Sequence, residues 1–147
     1  MGRDLAESRL PHDLLGRASL AGNEYAWRIA DIPGVIEAAR AANLANIGGQ
    51  LQFRLPDGGI CECYWVEVDT YKSVDTALPW NERVERTAEA ASRAFVALQE
   101  RVDFIAEGRN AFPSYLDKHL ADGRNLADLM CFVWDLLSED EASAKGL

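Results

Sequence analysis

The sequence predicts an α+β fold: a small, mainly antiparallel sheet of about three strands, packed by helices, in a single globular domain spanning 1–147. Three observations point there. Residues 24–29 and 50–69 alternate apolar and polar side chains, the period of a half-buried strand. The turn signal Pro56-Asp57-Gly58 divides the second of these runs into a hairpin. Beyond residue 80 the apolar positions recur at helical spacing.

Residues 11–21 suit a short helix carrying Leu14, Leu15 and Leu20, although Gly16 weakens it. In the strand that follows, Tyr25, Trp27 and Ile29 share one face, and Glu24, Ala26 and Arg28 the other. Asp31 offers an N-cap to the next helix, and Pro33 falls in its first turn, where a missing N–H is harmless. Val35, Ile36 and Ala39 make its apolar side. Asn43 suits a left-handed cap, with Leu44 placed to pack back on the helix end.

The hairpin at 50–69 is the clearest signal. Pro56, Asp57 and Gly58 form a three-residue loop with a glycine bulge. Leu55 then lies opposite Gly59, Phe53 opposite Cys61 and Leu51 opposite Cys63. One face holds Leu51, Phe53, Leu55, Cys61, Cys63 and Trp65; the other holds Gln50, Gln52, Arg54, Glu62 and Tyr64. An even loop would place Glu62 beside Phe53 and bury a carboxylate without a partner. The odd register is therefore expected. By the same parity Glu67 and Asp69 fall on the core side, and Glu62 and Glu67 on opposite faces.

The second half reads as helical. Val84, Ala88, Ala91, Phe95, Leu98, Val102 and Ile105 form one stripe ended by Gly108, the first arm of a C-terminal αα-hairpin. Trp80 is placed to staple the helix start against Val84. A second helix is expected from Ser114, broken at 122–125 and recapped by Asn125. Its apolar face is Leu126, Leu129, Met130, Val133, Trp134 and Leu137. All four tryptophans are expected to be core anchors, and the first ~10 and last ~8 residues to be mobile.

The formal charge is −9, which repels phosphates and anionic lipids, so no nucleic-acid partner is expected. The N-terminal residues lack an apolar h-region, and no apolar run reaches membrane-spanning length. No membrane partner is expected. An odd cysteine count argues against a disulfide framework, and the chain is expected in the cytoplasm with its thiols reduced.

Cys61 and Cys63 have parallel Cβ vectors and read as small hydrophobes under a tryptophan. Cys131, His12 and His119 lack zinc-site spacing, so no metal or cofactor is expected. Nucleophile-elbow, Walker, dinucleotide and zincin motifs are absent, and Gly48-Gly49 suits a bulge better than a phosphate cradle. His119 suits a partly buried polar role better than that of a general base.

Gln50, Gln52, Arg54, Glu62 and Tyr64 are the candidate binding residues, because they put donors, acceptors and an aromatic ring on one rigid face. They also suit a solvated sheet face with a single cross-strand ion pair. Three functions fit. The leading one is a non-enzymatic acidic protein that binds a basic partner, as an immunity or inhibitor protein does. The second is a ligand-binding domain or enzyme with a pocket between sheet and helices lined by Trp27, Tyr64 or Arg54. The third is a homodimer assembled through the alanine-rich stripe at 84–105.

Overall fold

The computed structural model describes residues 5–73 and 75–147. Five strands form one antiparallel sheet: β1 (Ser19–Ala21), β2 (Glu24–Trp27), β3 (Ala45–Arg54), β4 (Ile60–Asp69) and β5 (Met130–Leu137). Their order is β1-β2-β5-β3-β4. The expected α+β class holds, but two strands more are present than anticipated.

β5 is the larger correction, since residues 130–137 were expected to be helical. One turn of helix, α6 (Leu126–Leu129), capped by the Asn125 side chain as expected, leads directly into the strand. β5 lies between β2 and β3. Phe132, Trp134 and Leu136 enter the main core, while Cys131 and Val133 are buried on the opposite face. A strand covered on both faces is apolar at nearly every position, so its period of two vanishes.

The helices are α1 (His12–Arg17), α2 (Ile32–Ala41), α3 (Trp80–Arg101), α4 (Phe104–Ala111), α5 (Pro113–Ala121) and α7 (Glu139–Ala144). α2 ends as anticipated: Asn43 is left-handed with φ of 61°, and the Leu44 N–H reaches the Ala39 carbonyl at 2.9 Å. Asp31 makes no cap bond and pairs instead with Arg17 at 3.3 Å.

α3 runs over β3 and β4 and beside α2. Its stripe of Val84, Ala88, Ala91, Phe95 and Leu98 is buried within the chain, so it is not a free surface for a second copy. The expected αα-hairpin is absent. Val102 turns extended, and Asp103 caps α4 through the Ala106 N–H at 3.1 Å. Gly108 lies inside α4, where a Cβ would collide with the Phe53 ring. Phe95 meets Phe132 edge-on at 5.1 Å and Trp134 at 6.1 Å, which locks α3 to β5.

The expected hairpin register holds: Leu51 pairs with Cys63, Gln52 with Glu62 and Phe53 with Cys61. Parity then breaks. Gln50 pairs with Glu67, so Tyr64, Trp65 and Val66 bulge out of β4. Val66 and Val68 turn inward, while Trp65, Glu67 and Asp69 turn outward. Trp65 is 44% exposed and is no core anchor, in contrast to Trp27, Trp80 and Trp134. Glu62 and Glu67 share a face, contrary to simple alternation.

Both expected mobile ends carry packed side chains. Ala6, Glu7 and Leu10 are buried, as is Ala142 of α7, whose Ser138–Glu141 capping box is complete. Residues 1–4 of the expected mobile N-terminus lie outside the described residues.

A second bulge, at Ile47, separates the pairs Asn46–Leu136 and Gly48–Asp135. Asn46 is fully buried. Its N–H donates to Thr87 Oγ1 at 3.0 Å and its Nδ2 to the Ile36 carbonyl at 3.3 Å. Its Oδ1 accepts from Trp134 Nε1 at 2.8 Å, and its carbonyl oxygen from Thr70 Oγ1 at 2.8 Å. Asn46→Leu should strand the buried Trp134 indole N–H and destabilise the fold by about 3 kcal/mol in urea unfolding. A loss below about 1 kcal/mol would show that this network is dispensable.

Candidate functional site

The candidate site is the sheet face turned away from α2 and α3, and its shape comes from strand curl. Arg54 Nη1 donates to the Ser19 carbonyl oxygen at 2.6 Å, and its Nη2 to that of Glu24 at 3.2 Å. Ser19 and Glu24 belong to β1 and β2, three and two strands away from β3. At about 4.8 Å per strand, a flat sheet would put β1 beyond the reach of an arginine. The β1–β2 ribbon must therefore arch over the face, with Arg54 bracing it from below.

All five sequence-predicted residues lie on this face, in two roles. Gln52 is fully buried; its Oε1 accepts from Arg54 Nε at 3.1 Å and its Nε2 donates to Glu62 Oε1 at 3.4 Å. It thus stands between Arg54 and Glu62, where a direct ion pair was expected. Gln50 is half-buried. Glu62 and Tyr64 are exposed, Tyr64 at 66%, and the Tyr64 ring meets Trp65 edge-on at 5.2 Å. Trp27 packs on the helix side, with Nε1 on the Leu14 carbonyl at 2.8 Å, so it shares no pocket with Arg54 or Tyr64.

Beside these residues runs a groove of about 200 Å³ floored by Gly48 and Gly49. Gly48 has φ of +123°, and a Cβ on either glycine would overlap a carbonyl oxygen, of Val68 or of Val133. Only glycine lets the three strands approach this closely. Glu24, Glu67, Asp69 and Asp135 line it, with no lysine or arginine. Desolvation, then the nearby Glu24 charge, pushes the Asp135 carboxyl above its ordinary value. Sequence parity missed Trp65, Glu67 and Asp69; the Gly48-Gly49 pair was the available signal of an irregular strand.

The remaining chemistry-bearing side chains lie elsewhere. The thiols are buried, and desolvation lifts Cys63 and Cys131 to about 11, which makes them poor nucleophiles. Both His119 ring nitrogens are enclosed without a hydrogen-bond partner. Among the described residues, no group of three or more His, Cys, Asp or Glu is placed to hold a metal ion.

Arg54→Met keeps the stem but removes the brace. It should lower stability by about 2 kcal/mol and speed amide exchange selectively in β1 and β2. Uniform exchange across all five strands would contradict the brace.

No protein-family model, curated protein or solved structure matches the chain.

Proposed function

We propose that the chain is a non-enzymatic interaction protein that binds a basic partner on the open face of its sheet, in the manner of an immunity or inhibitor protein. The observation that supports this most is the groove: four carboxylates, Glu24, Glu67, Asp69 and Asp135, around a glycine floor, with no basic side chain among its lining residues. A lysine or arginine of the partner would enter it and meet the charge it lacks. Tyr64 and Trp65 stand beside the groove on β4, where an aromatic face holds a cation and its aliphatic stem. Glu62 and Gln50 supply acceptors around them. Gln52 and Arg54 act beneath, fixing Glu62 and the arched ribbon.

The reading predicts a basic polypeptide bound in native mass spectrometry at low salt and released at high salt. Glu67→Lys combined with Asp69→Lys should weaken capture at least about tenfold, or 1.4 kcal/mol, while the thermal midpoint stays put. Tyr64→Ala should weaken it without altering its salt dependence. Capture that survives both variants would place the partner elsewhere, and a bare protein at low salt would remove the reading.

A further inference from the structure

We propose that a second cavity, at the end of the sheet where β5 runs into α7, binds a small organic ammonium ion through Glu7. The cavity has a volume of about 320 Å³ and is separate from the glycine-floored groove, although Ile47 and Asp135 border both. Glu7 lies at its inner side, only 7% exposed, with Oε2 accepting the Leu136 N–H at 2.9 Å. The Tyr71 hydroxyl oxygen, also on the cavity wall, is enclosed with no hydrogen-bond partner. Ile47 and Leu137 add apolar surface.

A buried carboxylate calls for donors, and the orphaned phenol oxygen of another residue lining the cavity has lone pairs free to accept one as well. An ammonium supplies several donors and the missing charge at once, and the aliphatic wall suits a hydrocarbon body. A bare metal ion fits less well, since no three-ligand group is present among the described residues. The charged groups facing Glu7 are two carboxylates and one exposed lysine. Asp135 of β5 and Glu141 of α7 repel its negative charge, Lys145 stands exposed at the rim, and Arg83 of α3 is engaged with the Leu147 carbonyl at 3.1 Å. Desolvation first, then those two carboxylates, raise Glu7 from 4.5 to about 7. The fold thus favours neutral Glu7: the stability it contributes is full below 4.5 and lost as pH climbs through about 7. A bound ammonium would reverse that preference.

Titration calorimetry of the intact chain with phenethylamine, 2-phenylethanol and 3-phenylpropionate tests this. Saturable binding of the amine alone is expected, at least about tenfold weaker at about pH 5 than at about pH 8, as Glu7 gains its proton. Glu7→Gln keeps an acceptor for the Leu136 N–H and should melt no lower than the parent above pH 7. It should lose amine binding at least about tenfold. Absence of amine binding, equal binding of the alcohol or the acid, or undiminished binding by Glu7→Gln would each overturn the proposal. So would binding that does not change with pH. The groove variants at Glu67 and Asp69 should leave amine affinity unchanged, which separates this site from the basic-partner surface.

Discussion

Asn46 is the constraint on which the rest of the layout hangs. Sitting at a bulge in β3, it bonds to α2 through Ile36, α3 through Thr87, β5 through Trp134, and the segment after β4 through Thr70. With the side chain fully buried, each bond operates at low dielectric and none can be exchanged for water. The orientation of Trp134 follows from it, and Phe95 packs against that ring. The position of α3 over the sheet is thus fixed by a polar contact as well as by apolar packing.

The open face owes its character to the same irregularity. Ile47 is the extra residue of the bulge, and the Gly48-Gly49 backbone behind it packs so closely that no side chain fits. The groove opens over this close-packed glycine backbone. On β4 the bulge at Tyr64, Trp65 and Val66 tips Trp65 out beside Tyr64 and turns Glu67 and Asp69 to the Glu62 side. Two local departures from regular strand geometry therefore produce the concavity, the aromatic pair and the acidic rim together.

Charge is distributed to match. Arg17 pairs with Asp13 and Asp31, Arg40 with Glu37 and Glu85, and Arg109 with Asp117, all away from the groove. Among the described residues, Lys72 is the one cation paired with a groove carboxylate, Asp69, at 3.9 Å. Exposed pairs of this kind contribute little to stability, and among the described residues Glu24, Glu67 and Asp135 of the groove have no cation paired with them. That placement, beyond the net charge of −9, is what supports a basic partner.

Local chemistry in the sequence was enough to determine the hairpin register, the left-handed end of α2, the burial of Cys61 and Cys63, and the face shared by Gln50, Gln52, Arg54, Glu62 and Tyr64. Each follows from turn geometry, alternation or the penalty on an unpaired buried carboxylate, all readable within a few residues. Only the tertiary structure decided that residues 130–137 are a central strand. Burial on both faces erases the alternation that would announce it. The outward turn of Trp65 and Glu67 likewise depends on a bulge that strand alternation cannot foretell. The role of Asn46 and the bracing by Arg54 rest on partners from 10 to 88 and from 30 to 35 residues away along the chain, and such pairings exist only once the chain has folded.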